Sequence, residues 1–312
     1  MSTSDQIIGA RLPRPDARRL AAGRGTFTDD LALPRMVHMA FVRSPYAHAL
    51  IKSIDTADAR QAEGVVRVIT AQDLADICTP FIAGIEFLPN MISPPQYPLT
   101  PVEVIYQGEA VCAILAESRA LAEDAAELVQ VEWDELPAVV DPDAALEPGT
   151  PLVHSELESN LAMAMPIVEG DTEKAFAEAA VVVEHEFEFG RQSGLALETR
   201  SVLADFEPAG RQLTVYQSHQ SPYQMQDVYA RHLGLEEHQV RVIAKDVGGA
   251  FGLKLHAYPD EMAAVAASVL LGRPVKYIAD RQESFFSDIH AREMKVAGKL
   301  AVDPEGVILG VE

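Results

Sequence analysis

The sequence predicts an α+β fold in which short strands alternate with amphipathic helices. Three patterns predict it: a strand–helix–strand run over residues 109–136, a two-residue alternation over 181–189, and a glycine-rich turn directly after a strand at 246–252. With 312 residues, 48% of them hydrophobic, the chain has material for about two cored domains. The expected division is an arm over 1–22, a first domain over 23–145 and a second over 146–312. Lys and Arg number 25 against 47 Asp and Glu, a net charge of −22. This excludes a nucleic-acid binder and attraction to an anionic membrane surface, both of which need basic residues. Two cysteines are too few for a disulfide framework or a Cys-rich zinc or iron–sulfur site, and both are expected as buried thiols. No run reaches the ~18–20 apolar residues that span a bilayer. The first residues lack an apolar core, so a cytoplasmic protein is expected.

The elements follow in order. Residues 1–22, rich in Arg, Pro and Asp, predict an extended arm. Residues 36–41 (MVHMAF) and 65–70 (VVRVIT) predict strands, and the proline-dense 78–101 predicts loop. The apolar run 109–116 (EAVCAILA) predicts a strand buried on both faces. Ser118 is placed to N-cap a helix in which Leu121, Ala125, Leu128 and Val129 share one face. Alternation returns over 129–136, and Pro137, Pro142, Pro148 and Pro151 punctuate a connector. Gly170, Asp171 and Thr172 start a short helix that runs to Ala180. Over 181–189, Val181, Val183, His185, Phe187 and Phe189 fall on one face and Glu184, Glu186 and Glu188 on the other. That predicts a half-buried strand of an antiparallel sheet. Strands are expected over 201–206 and 213–216, joined by a turn at Pro208, Ala209 and Gly210. A helix over 222–233 stops at Gly234, and 240–245 is a strand. A helix over 260–271 ends at Gly272 and Pro274. Residues 275–279 form a further strand and 303–306 a turn.

The common catalytic signatures are absent. There is no HExxH, Walker A, dinucleotide GxGxxG or GxSxG sequence, and the nine histidines lack paired metal-ligand spacing. What remains is Gly248, Gly249, Ala250, Phe251 and Gly252 after a strand, where glycines let backbone N–H groups approach a ligand. The second feature is Gln220 in Ser218-His219-Gln220-Ser221-Pro222, between a strand and a helix. On spacing alone, a tight turn explains the first as well as a ligand cradle does, and a polar loop residue explains the second.

Taken together, these segments resemble the molybdenum-binding large subunit of the xanthine dehydrogenase, aldehyde oxidase and carbon monoxide dehydrogenase family. Residues 41–49 (FVRSPYAHA), 64–68 (GVVRV), 104–111 (VIYQGEAV) and 131–139 are similar to that family's a/b hammerhead domain. Residues 197–200 (LETR), 219–222 (HQSP), 247–254 (VGGAFGLK), 272–276 (GRPVK) and 280–283 (DRQE) are similar to the first part of its molybdopterin-binding α/β domain. The resemblance implies molybdenum bound by molybdopterin as the cytosine dinucleotide, with Gln220, Gly248, Gly249, Ala250, Phe251 and Gly252 binding the cofactor. No side chain of this chain would ligate the metal. Ala250 and Leu253 replace family glycines, which predicts local strain where φ is positive. Leu255 stands where purine-oxidising members place a substrate-binding glutamate. The family's catalytic glutamate matches no residue here, so none is assigned. The resemblance implies partners as well: a chain carrying the C-terminal part of the molybdopterin subunit, an iron–sulfur subunit with [2Fe-2S] clusters and an FAD subunit. The implied activity is oxidation of an N-heteroaromatic or aldehyde small molecule with oxygen from water. The alternative is a non-catalytic or truncated scaffold relative.

Overall fold

The computed structural model describes residues 8–82, 88 and 90–312. In chain order, its first elements are α1 (Ala17–Ala21), β1 (Val37–Arg43), β2 (Ala49–Asp55), α2 (Ala57–Gln61), β3 (Val65–Thr70) and α3 (Ala71–Leu74). Then come β4 (Glu103–Val104), β5 (Ala110–Ala116), α4 (Arg119–Ala126), β6 (Gln130–Glu135), α5 (Thr172–Glu178) and β7 (Val181–Phe189). The remainder are β8 (Ser201–Glu207), β9 (Gln212–Gln217), α6 (Pro222–His232), β10 (Val240–Ile243), α7 (Pro259–Leu271), β11 (Val275–Ile278), α8 (Arg281–Ser287), β12 (Met294–Val302) and β13 (Ile308–Val311). The α+β class is as expected.

The centre is a seven-stranded mixed sheet in the order β10-β9-β8-β11-β1-β5-β3. Both sides of the proline-rich connector supply strands to it. The junction is β1 running parallel to β11, with Val37 opposite Val275 and His38 opposite Lys276. The apolar run 109–116 has its explanation here. Ala113 and Leu115 of β5 face one core with Val37, Met39 and Ile69, while Cys112 and Ile114 face a second with Ala40 and Val68. A strand buried on both faces has no need of a polar alternation. α7 packs on β8 and β11, and its Ala263, Ala264, Ala266 and Ala267 are fully buried, since small side chains allow close approach to the sheet. Its end at Gly272 is left-handed, φ 60°, as a glycine C-cap allows. Both cysteines are free and buried, and burial pushes each thiol up to about 12.

Several expectations are corrected. Residues 8–22 are no simple extended arm: α1 forms, and its Arg19 makes a two-pronged ion pair with Asp246, 2.7 Å for each contact. Residues 1–7 of that arm, and 83–87 and 89 of the expected loop, lie outside the described residues. α4 is capped as expected, Ser118 Oγ accepting from Leu121 N–H, but it ends at Ala126. Its buried positions are Ala122 and Ala125, and Leu128 is exposed, because the strand register of β6 takes over at Gln130. The strand before the glycine cluster stops at Ile243.

The largest correction concerns β7. It pairs along its whole length with β12 in the sheet β13-β12-β7, yet every residue is exposed. The alternation is real: Glu184 faces Lys299 at 3.4 Å on one side. Val181, Val183, Phe187 and Phe189 share the other side with Met294 and Val296. No described residue buries that apolar side: Val183 is 54% and Phe187 50% exposed. Pattern predicts which residues share a face; it does not supply the layer that covers it.

Candidate functional site

β9 and β10 are parallel neighbours, in register from Leu213–Val240 to Tyr216–Ile243. Their C-terminal ends therefore lie side by side, and both expected site segments leave from there, the usual ligand position in such sheets. Ser218 to Ser221 follow β9, with Pro222 at the first turn of α6. Residues 244–252 follow β10 and end in a short helical turn at Leu253–Leu255.

These two segments meet. Gly252 N–H donates to Gln220 Oε1 at 3.0 Å, and Gln220 N–H donates to Lys254 O at 2.8 Å. Because a backbone N–H can only donate, the side-chain oxygen of Gln220 is the atom facing the loop. Its amide NH2 then points away and, among the described residues, donates to no protein acceptor. The N–H groups of Gly249, Ala250 and Phe251 likewise have no protein acceptor among the described residues. The positive φ values fall on Gly249 (104°), Phe251 (52°) and Gly252 (91°). Ala250 is not among them, so the strain expected at its replacement of a family glycine is absent. Leu253 is buried and packs where a Cβ on Gly194 would come within 2.8 Å of it. The ring of Phe251 is 76% exposed beside these donors.

The base of the loop is closely packed. A Cβ on Gly248 would lie 2.5 Å from Glu198 Cβ, and one on Gly249 would meet Phe251 Cε2 at 3.1 Å and Ala196 Cβ at 3.3 Å. Arg281 secures the 196–197 segment by donating to the carbonyls of Ala196 and Leu197 at 2.7 and 2.9 Å. His219 is buried; its Nδ1 accepts from Ser221 N–H at 3.0 Å, which leaves Nε2–H to donate to His256 O at 3.2 Å. Burial lowers its pKa, in keeping with this neutral tautomer.

Arg200, two residues after Glu198, centres a buried charge network that sequence reasoning missed. Arg200 is fully buried and donates to both oxygens of Asp260 at 2.6 and 2.8 Å and to Asp288 at 2.5 Å. Asp260 also takes Arg43 from β1 at 2.9 Å, and Arg43 bonds Glu283 at 2.8 Å. Glu283 and Asp280 cap α8 reciprocally, which gives the 280–283 motif a local physical reason. Burial alone would raise the Asp260 carboxyl, but Arg200 and Arg43 outweigh it and hold it well below the usual range. Glu261 lies 3.7 Å from Arg200, beyond hydrogen-bond contact; burial, reinforced by Asp260, pushes it up to about 8.

That shift has a pH consequence. A carboxyl with a folded pKa above its unfolded value binds its proton more tightly when folded, so stability is lost as pH rises from 4.5, its ordinary value, towards about 8. Glu261→Gln keeps an acceptor for Gln217 Nε2, which donates to Glu261 at 2.7 Å. The variant is expected to remove a slope of up to about 1.4 kcal/mol per pH unit. Urea midpoints across that window check it; an identical slope in both proteins would refute it.

Two recesses, of about 340 and 490 Å³, lie away from these segments, against Arg43, Tyr277 and Arg119 and against Leu74, Tyr97 and Leu99. Among the described residues, no group of three or more His, Cys, Asp or Glu could hold a metal ion, and no helix is long and apolar enough to cross a membrane.

Comparison with known proteins identifies the family. The family model "molybdopterin cofactor-binding domain" matches residues 153–312, and "aldehyde oxidase and xanthine dehydrogenase, a/b hammerhead domain" matches 22–137. The chain is 38% identical to the nicotine 6-hydroxylase large subunit of Paenarthrobacter nicotinovorans, across 98% of this chain and 37% of that protein. It is 35% identical to the carbon monoxide dehydrogenase large chain of Afipia carboxidovorans, across 98% and 39%. Its structure is similar to quinoline 2-oxidoreductase from Pseudomonas putida 86, with TM-score 0.92 and 37% identity over 97% of this chain and 38% of that one. The chain thus spans less than two-fifths of the length of these relatives. It belongs to the molybdopterin cofactor-binding domain family, carrying ahead of that domain the a/b hammerhead of the aldehyde oxidases and xanthine dehydrogenases.

Proposed function

We propose that this chain is the cofactor-holding N-terminal part of the molybdopterin subunit of a molybdenum hydroxylase. The observation that carries the reading is the set of donors without a protein acceptor among the described residues, Gln220 NH2 and the N–H groups of Gly249, Ala250 and Phe251, at the adjoining ends of two parallel strands. Such a donor set fits an oxo- and dithiolene-bearing anion, and a chain of net charge −22 needs local donors for one. When bound, the molybdenum–pterin group, in the cytosine dinucleotide form, supplies a two-electron acceptor and activates water.

The residues of this chain bind and orient. Gln220, its oxygen held by Gly252, presents a fixed N–H donor to an oxo acceptor. The loop 248–252 brings backbone amides close because Gly248 and Gly249 carry no Cβ. Phe251 lays an apolar ring beside them. No general base is assigned here; a catalytic glutamate is expected on the polypeptide that completes the subunit. The uncovered apolar face of β7 and β12 supports such a second polypeptide. An iron–sulfur subunit with [2Fe-2S] clusters and an FAD subunit would carry the electrons away.

An N-heteroaromatic substrate is favoured over an aldehyde, since nicotine and quinoline enzymes are among the similar proteins. Leu255, partly exposed beyond the loop, provides no charged recognition of a purine. The test is dye reduction by the assembled complex with a panel of N-heteroaromatics and aldehydes in ¹⁸O-labelled water. One labelled oxygen in the product of an N-heteroaromatic is expected. An assembled complex that oxidises neither class is the scaffold relative, and the proposal fails.

A further inference from the structure

The glycine loop is tied at both ends. At one end Gly252 N–H donates to Gln220 Oε1 at 3.0 Å. At the other, Gly248 N–H donates to Glu198 Oε2 at 2.7 Å, and Glu198 N–H returns to Gly248 O at 3.1 Å. The same carboxylate oxygen accepts from Ser218 Oγ at 2.6 Å and Lys254 Nζ at 3.1 Å. Lys254 Nζ in turn donates to Ser218 Oγ at 2.8 Å.

The positions of these partners give the cluster its meaning. Ser218 is two residues before Gln220, on the segment that leaves β9. Lys254 is two residues after Gly252, and its carbonyl receives Gln220 N–H. One carboxylate oxygen therefore joins the start of the glycine loop, the residue beyond its end and the strand end that carries Gln220. Lys254 is buried to its ammonium, so its charge has no water to fall back on if the carboxylate is removed. Gly248 is what permits the approach, since a Cβ there would lie 2.5 Å from Glu198 Cβ. The second oxygen, Oε1, is buried and has no partner among the described residues, so the whole clamp acts through Oε2.

We propose that Glu198 is the positioning residue of this site, fixing loop 248–252 against Gln220 so that the outward amide donors hold one arrangement. That those donors face a molybdopterin rests on the function proposed above; the clamp itself does not.

The experiment uses the full chain, cofactor-free, and reads amide hydrogen exchange by NMR. Glu198→Ala is expected to speed exchange at Gly248 and Gly252 about tenfold or more, because it strands a buried donor set. Amides of β5 and β8 should keep their wild-type protection. Glu198→Gln keeps an oxygen acceptor for Gly248 N–H and Ser218 Oγ but not the charge that Lys254 faces, so loop exchange should fall between wild type and Glu198→Ala, a partial rescue that a variant that merely loosens the fold would not show. Where Glu198→Ala does not fold, Glu198→Asp is read instead: the carboxylate is retained, its reach is lost, and the same two amides should speed up. Loop exchange within about twofold of wild type in Ala or Asp, or no rescue by Gln, overturns the proposal. Because no cofactor is present, that result leaves the cofactor reading standing. A clamp that behaves as expected in a protein that takes up no molybdopterin overturns the cofactor reading alone.

Discussion

Arg200→Met is expected to destabilise the chain by about 3–5 kcal/mol, the cost of removing one partner from a buried ionic network. Arg200 donates to three buried carboxylate oxygens, both of Asp260 and one of Asp288, with side-chain exposures of 5% and 4%, and of these two carboxylates only Asp260 is also reached by Arg43. Its guanidinium also stacks 3.8 Å from the ring centre of Tyr258, which gives a cation–π contact at a desolvated site. Methionine fills much of the volume but leaves those anions facing only Arg43 and their own repulsion. The measurement is the urea midpoint followed by circular dichroism. A loss below about 1 kcal/mol would place this network among exposed pairs, contrary to its burial. The effect should reach the site as well, since Arg200 directly precedes β8 and lies two residues after Glu198.

Gln220→Glu is expected to speed loss of molybdenum and pterin from the assembled protein by about 10–100-fold, while leaving the chain folded. A carboxylate at this position still accepts from Gly252 N–H, so the loop keeps its tie. What disappears is the outward NH2, replaced by an oxygen that repels an oxo acceptor. The readout is the half-life of metal and pterin through repeated gel filtration, with loop amide exchange as the control for folding. Retention equal to wild type would show that the Gln220 amide does not face the cofactor.

How much of this was legible in the sequence follows from what periodicity encodes. β5 could be read because burial on both faces leaves an unbroken apolar run. The partners of β7 on its own face could be read, yet its exposure could not, because alternation is the same whether or not a covering layer exists. The α4 face was overextended through Leu128 and Val129, since apolar spacing carries no mark of where β6 takes over. At the site, glycines and a glutamine advertise themselves by residue type and by resemblance. Ala250 was expected to bear strain, but the backbone places positive φ on its neighbours, which only coordinates reveal. The 197–200 motif was visible as a resemblance, whereas the role of Glu198 was not. Its partners Gly248, Ser218 and Lys254 lie 50, 20 and 56 residues away, and nothing local in sequence links them.

The measurement that bears most directly on the account is the molybdenum and pterin content of the protein purified from its own host, normalised to this chain. The account predicts both together, in stoichiometric amounts. A folded, assembled protein that contains this chain at full occupancy and neither metal nor pterin would contradict it.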